Sequence, residues 1–303
     1  MDDYIIPSRV LEALPPRVRG EISVAVGDFS RVEELRLHAD RRATLTVDGR
    51  NVFTAVALTR AEMDSTLFSL CGGSLYAYND TICKGYLSIG DGIRVGVCGR
   101  AVTEGDRVRG VYEVTTIAVR IPHRHDGCGG CICQLLDELS YSAGVLIYSP
   151  PGVGKTTLLR AVARRLASGK GARRVAVVDT RGELGCFLDG ASLCVDVLSG
   201  YPKSAGIEIA ARTLGAEVII CDEIGRDEVE AVRGAHNCGV PLIASAHADS
   251  AARLVRRAGI DRLHESAGFG AYVGISRRVG EEDYEYKIDY WEDVENACTA
   301  CTF

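Results

Sequence analysis

Two kinds of hydrophobic spacing run along the chain, and one gives way to the other near residue 125. From residue 144 onward, short runs that are apolar at nearly every position alternate with stretches of helical period. GVLIYS (144–149), RRVAVVDT (173–180), SLCVDVL (192–198), EVIICDEIG (217–225) and PLIASAH (241–247) lack an alternating polar face. That is the pattern of strands covered by helices on both sides. TTLLRAVARRLASG (156–169) keeps its apolar residues on one helical face and stops at Gly169, and 226–237 reads as a further helix. Strand and helix in alternation predict a mainly parallel sheet, so the fold class is α/β.

Before residue 125 the grammar is α+β. EELRLHAD (33–40), ATLTVDG (43–49), GYLSIGDG (85–92) and RVGVCGRAV (94–102) alternate or sit beside Asp-Gly turns, and a helix is expected at 59–71. Asp91-Gly92 between two strand-like runs marks a hairpin. TTIAVRIP (115–122) closes this part before the connector HRHDGCGGC (123–131). The expected division is a smaller N-terminal domain over 1–125, a nucleotide-binding domain over 126–280, and a C-terminal edge strand with a frayed tail over 281–303.

Composition changes this picture little. The 303 residues are 47% hydrophobic and 25% charged, ordinary for a globular chain. No uncharged apolar run reaches membrane-spanning length, and the start MDDYIIPSRV lacks the character of a secretory signal, so a cytoplasmic protein is expected. The twelve cysteines are read as reduced thiols, with Cys98, Cys194 and Cys221 placed in core strands. A net charge of −6 argues against a surface built for nucleic acid, and no nucleic-acid partner is expected; ARRLASGKGARR (163–174) reads as a solvated helix end and turn.

The candidate chemistry begins at SPPGVGKTT (149–157). Between a buried strand and an amphipathic helix, this segment fits the phosphate-binding pattern G-x-x-x-x-G-K-[ST], with Ser149 in place of the first glycine. Ser149, Pro150, Pro151, Gly152, Val153, Gly154, Lys155, Thr156 and Thr157 form the expected nucleotide-binding loop. Gly152 and Gly154 let backbone N–H groups approach a phosphate chain at a helix N-terminus. Lys155 is expected on the β- and γ-phosphates of ATP and the Thr156 hydroxyl on Mg²⁺.

EVIICDEIG supplies Asp222 as a second Mg²⁺ residue and Glu223 to orient or deprotonate the attacking water; paired acids at a strand end could instead cap the next helix. Ser245 or His247 in SAHADSAARLVRR (245–257) could sense the γ-phosphate, with Asp249 placed to cap the following helix. Asp179 and Glu183 in VVDTRGEL (177–184) could serve the water or metal, or only enter a helix. Arg212, Arg226 and Arg120 are candidates for a cation on the transferred phosphoryl group, supplied by a neighbouring subunit. His123, His125, Cys128, Cys131 and Cys133, with Cys298 and Cys301, crowd enough ligands to raise a zinc reading, against which the spacing weighs.

SPPGVGKTT, VVDTRGEL, EVIICDEIG and ASAHADS, together with EELRLH, KGYLSIGDGIRVGVCGRAV and TTIAVRIP, resemble the stage III sporulation protein AA family, relatives of the type II and type IV secretion ATPases. The resemblance covers roughly residues 30–280; HRHDGCGGCICQ and the cysteine-rich tail depart from it. It implies a RecA-like, AAA-type P-loop NTPase core. It further implies an ATPase that forms hexameric rings and works with membrane-embedded sporulation channel proteins at the mother-cell side of the forespore. A nucleic-acid-dependent ATPase and a nucleotide-binding scaffold that does not turn over are the competing readings.

Overall fold

A computed structural model describes residues 8–26, 32–47, 49–90, 92–121, 127–188, 190–277 and 284–300. The chain divides into two compact units, Met1–Arg124 and His125–Phe303.

In the first unit, α1 (Ser8–Ala13) and α2 (Pro16–Val26) precede β1 (Val32–His38), β2 (Arg41–Val47) and β3 (Arg50–Ala57). Then come α3 (Arg60–Leu70), the short α4 (Asn79–Ile82), β4 (Tyr86–Ser88), β5 (Arg94–Glu104) and β6 (Arg107–Arg120). The six strands form one sheet in the order β3-β2-β1-β6-β5-β4, and every neighbouring pair is antiparallel. Alternation decides the faces: Leu35, Leu37 and Leu45 are fully buried while Glu34 and Arg36 look outward and pair with each other. The helix expected at 59–71 is α3, started by a capping box in which the Thr59 hydroxyl accepts from Glu62 N–H and the Glu62 carboxylate accepts from Thr59 N–H at 2.8 Å. β4 and β5 form the expected antiparallel pair, although Asp91 itself lies outside the described residues.

β6 starts well before residue 115. β5 and β6 continue past their neighbours as a two-stranded ribbon exposed on both faces, so this stretch carries no apolar period to read. Cys98 lies on that ribbon and Cys194 just before a strand; both are exposed, and of the three cysteines assigned to core strands only Cys221 is buried.

The second unit opens with α5 (Gly130–Glu138), β7 (Gly144–Ser149), α6 (Lys155–Leu166), β8 (Val175–Asp179), β9 (Val195–Ser199) and α7 (Lys203–Arg212). β10 (Val218–Cys221), α8 (Val229–Asn237), β11 (Leu242–His247), α9 (Ala251–Leu254) and α10 (Ile260–Glu265) follow, and β12 (Phe269–Ser276), β13 (Glu285–Tyr290) and α11 (Trp291–Ala300) complete it. Its sheet has the order β13-β12-β7-β11-β10-β8-β9, parallel throughout except where β13 pairs antiparallel with β12. Successive residues of β7 enter opposite cores. Val145 and Ile147 pack with Leu158, Leu159 and Val162 of α6, whereas Leu146 and Tyr148 pack with the cluster that includes Ile207 of α7 and Val232 of α8. Each fully buried aliphatic side chain of this kind contributes roughly 1.5–3 kcal/mol by leaving water.

The tail differs from its expectation. β13 is the edge strand, but the chain then forms α11, whose Trp291 Nε1 donates to His264 O at 2.8 Å and whose Val294 is buried. With Glu295 Oε2 2.9 Å from His264 Nε2, the helix is held mainly by polar contacts and one aliphatic anchor, which leave no visible apolar period. β12 also lies in the sheet beside β7, its glycines interrupting the apolar run in the sequence. Among the described residues no helix is long and apolar enough to cross a membrane.

Candidate nucleotide site

Because β7, β11, β10 and β8 are parallel neighbours, their C-terminal ends meet along one edge of the sheet, where open α/β folds bind ligands. β7 runs directly into the loop 150–154, and α6 begins at Lys155. Gly152 and Gly154 have φ of +82° and +108°, in the region that favours glycine. At Gly154 a Cβ would also run into the Tyr284 hydroxyl, which would have to move; Tyr284 donates to Gly154 O at 3.0 Å. The loop thus has the backbone a phosphate cradle needs, ahead of the first-turn N–H groups of α6, which have no acceptor within the helix.

Lys155 is buried, and its Nζ donates to Ser149 O (3.1 Å), Ser149 Oγ (3.2 Å), Pro150 O (3.2 Å) and His247 Nδ1 (2.9 Å). Three N–H groups serve four acceptors, and all four are neutral. Burial lowers the pKa of this ammonium, and the nearby Glu223 charge draws it partly back. A cation at the first position of a helix also opposes the helix dipole. Lys155 is therefore a buried charge without a carboxylate in hydrogen-bond contact, at a place suited to an anion.

An ammonium has only donors, so His247 Nδ1 accepts from Lys155 and the ring proton resides on Nε2. Nε2–H then donates to Glu223 Oε1 at 2.9 Å. Arg181 Nη2 lies 3.2 Å from the other oxygen, Glu223 Oε2. Burial pushes the Glu223 carboxyl upward, but Arg181, His247 and Lys203 together outweigh it and hold the group below the usual carboxylate range. The main chain is fixed as firmly: Glu223 N–H donates to Ser245 Oγ at 3.0 Å, and Lys203 Nζ donates to Asp222 O and Glu223 O at 2.7 and 2.6 Å. Glu223 has φ +33°, a strained backbone for a side chain of this size.

Asp222 is buried; its Oδ1 makes no hydrogen bond and faces Lys203 Nζ at 3.4 Å, beyond good donor geometry. An orphaned carboxylate oxygen at the end of β10 and the Thr156 hydroxyl at the start of α6 are a donor set that fits a hard divalent cation.

The remaining sequence-predicted residues are distributed as follows. Asp179 is buried and holds a turn: its Oδ1 accepts from Glu183 N–H at 2.8 Å and its Oδ2 from Gly185 N–H at 2.7 Å. Both oxygens thus take part in shaping the turn, each accepting one main-chain N–H. Glu183 stands in that turn, half-buried. Asp249 does not cap α9; Ser250 does, accepting from Arg253 N–H, while Asp249 pairs with Arg253. Arg212 ends α7 at the opposite end from Lys203, about 13 Å along the helix axis. Arg226 is exposed just after the acidic segment, and Arg120 pairs with Glu34 at 3.2 Å within the first unit. Cys128, Cys131 and Cys133 are half-buried, and burial pushes the Cys133 thiol up to about 11. No group of three potential metal ligands occurs among the described residues; His123, His125, Cys301 and the Cys298 side chain lie outside them.

Sequence reasoning missed Arg181 and Lys203. Arg181 stands inside VVDTRGEL, between the acids Asp179 and Glu183 that carry the segment's readable chemistry. Lys203 had one readable signal: a basic residue at the N-terminus of a helix works against the dipole, and a local rule broken in this way often marks a site.

Sheet order, phosphate loop and acidic strand end together define a RecA-like P-loop NTPase fold. The DotB ATPase of Legionella pneumophila has it, at a TM-score of 0.63 and 16% identity, covering 95% of this chain and 87% of that one. So does the pilus retraction motor PilT, solved with bound ADP, at a TM-score of 0.65 and 12% identity, covering 93% of this chain and 87% of that one. Within that class the chain belongs to the stage III sporulation protein AA family. Residues 8–283 match the family described as Sporulation stage III, protein AA. The stage III sporulation protein AA of Bacillus subtilis (strain 168) is 32% identical over 283 residues, covering 90% of this chain and 92% of that protein.

Proposed function

We propose that this chain is a magnesium-dependent ATP hydrolase whose turnover energises or gates a secretion-like channel complex during endospore formation. The observation that carries the reading is the hydrogen-bonded line Lys155–His247–Glu223, which ties the phosphate loop to the acidic strand end. Residues 149–157 cradle the phosphates with main-chain N–H groups, and Lys155 exchanges neutral oxygens for the β- and γ-phosphates. Glu223 orients the attacking water and takes its proton, and His247 links the state of the phosphate-bound lysine to that carboxylate. Thr156 and Asp222 would hold Mg²⁺, which when bound neutralises charge on the β- and γ-phosphates.

Ring assembly, a hexamer by family resemblance, completes the site with a cation from a neighbouring copy; the exposed Arg226 and Arg212 are the residues offered for it. Residues 1–125 dock on membrane-embedded channel proteins, residues 126–280 carry the nucleotide chemistry, and the protein works on the cytoplasmic, mother-cell side of the forespore membrane. DotB and PilT, an ATPase and a pilus motor by their descriptions, support work of this mechanical kind.

Phosphate release from ATP by the full chain, with and without Mg²⁺ and with and without DNA, tests the reading. Magnesium-dependent release indifferent to DNA is expected. Release that requires DNA would make the chain a nucleic-acid-dependent ATPase, and tight binding without release would make it a scaffold.

A further inference from the structure

The Glu223 carboxylate is held from two strands at once. His247 at the end of β11 takes Oε1, and Arg181 in the turn after β8 takes Oε2. The turn carrying Arg181 is itself tightly built. Buried Asp179 accepts two of its N–H groups, and the Thr180 hydroxyl donates to Tyr201 O at 3.0 Å. Beneath the carboxylate, Lys203 and Ser245 pin the strained main chain of Glu223. An isolated surface ion pair contributes little. Here one partner is two-thirds buried, stands on an anchored and strained backbone, and ends the line that begins at the phosphate loop.

From this geometry we infer that Arg181 is a positioning residue: it sets the orientation of the Glu223 carboxylate from within the same subunit. The inference rests on the hydrolytic role proposed for Glu223. His247 alone fixes one oxygen and leaves the carboxylate free to rotate about that contact. The second contact, from a different strand, removes that freedom. Misaligned general bases lose rate while binding stays intact. Arg181 therefore acts on turnover through Glu223, without contributing to nucleotide affinity. Its guanidinium has five donors in a planar fork and a lysine has a single ammonium, so Arg181→Lys keeps the charge and recovers only part of the geometry.

The test combines kinetics with structure. In the full chain, Arg181→Ala is expected to lower kcat about tenfold or more with ATP and ADP affinities unchanged. Arg181→Lys is expected to restore part of the loss, and Arg181→Ala added to Glu223→Gln to cost nothing further. A crystal structure of Arg181→Ala is expected to show the Glu223 carboxylate displaced from its present position, a readout independent of turnover. Affinity falling in step with kcat would place Arg181 on the phosphates instead. An equal rate loss in the Glu223→Gln background, or a Glu223 carboxylate unmoved in the crystal, would overturn the inference. A wild-type chain that does not hydrolyse ATP would refute the proposed function, while the crystal structures would still decide whether Arg181 positions Glu223.

Discussion

The two units of the chain solve the same packing problem differently. In the first, strands of an antiparallel sheet bury alternate residues, as in β1, where Leu35 and Leu37 are inside and Glu34 and Arg36 outside. In the second, every residue of β7, β8 and β10 is buried because helices cover both faces. The difference bears on function. An antiparallel sheet returns the chain at each turn and scatters its loops over both ends, whereas parallel strands bring all their C-terminal ends to one edge. There Lys155, Asp222, Glu223 and His247 converge from three strands, and among its described residues the first unit has no comparable cluster.

That contrast breaks most readily at the phosphate loop. Lys155→Ala is expected to weaken ATP binding by about two orders of magnitude, because a buried cation and several charge-assisted hydrogen bonds to phosphate are lost together. Calorimetric titration with ATP checks this, and unchanged affinity would remove the loop from the account. A core lesion in the other unit sharpens the comparison. Leu35→Ala, at a fully buried position of the antiparallel sheet, is expected to destabilise that unit by about 2–5 kcal/mol. Denaturant unfolding should record the loss, while ATP affinity stays at the wild-type value. If affinity fell with stability, nucleotide binding would depend on both units.

The smallest effect belongs to a surface pair. A hydrogen bond from Arg17 and one from Thr59 hold Glu62 down at about 2, against an ordinary 4.5. Its stabilising contribution is complete above pH 4.5 and is lost as the pH falls toward 2. Exposure screens the pair, so Glu62→Gln should lower the melting temperature only slightly at neutral pH, and the difference from wild type should vanish as the pH falls toward 2.

These expectations also mark what the sequence made legible. Apolar runs with no polar face announced β7, β8, β10 and β11, and the position of SPPGVGKTT between strand and helix announced the loop. The helix expected at 59–71 is α3, although the Thr59–Glu62 capping box that starts it was not read from the sequence. Three features stayed hidden, each for a physical reason. The β5–β6 ribbon is exposed on both faces and has no apolar period. α11 docks through Trp291, Val294 and a Glu295–His264 contact at 2.9 Å, too few positions to make an apolar period. Arg181 and Lys203 reach Glu223 from segments distant in sequence, and a contact made only by tertiary structure leaves no local spacing to read. His247 was legible as a position but its role as a link was not, since that depends on Lys155 donating to one ring nitrogen and Glu223 accepting from the other.

The central claim is that the phosphate loop and the acidic strand end form one hydrolytic site. Glu223→Gln tests it most directly, because the amide fills the same space without taking a proton. ATP affinity and steady-state phosphate release should be measured side by side on the wild-type and variant chains. The account predicts unchanged affinity with turnover reduced about 10²–10⁴-fold. Turnover near the wild-type rate in Glu223→Gln would contradict it and move the search for the base to Glu183.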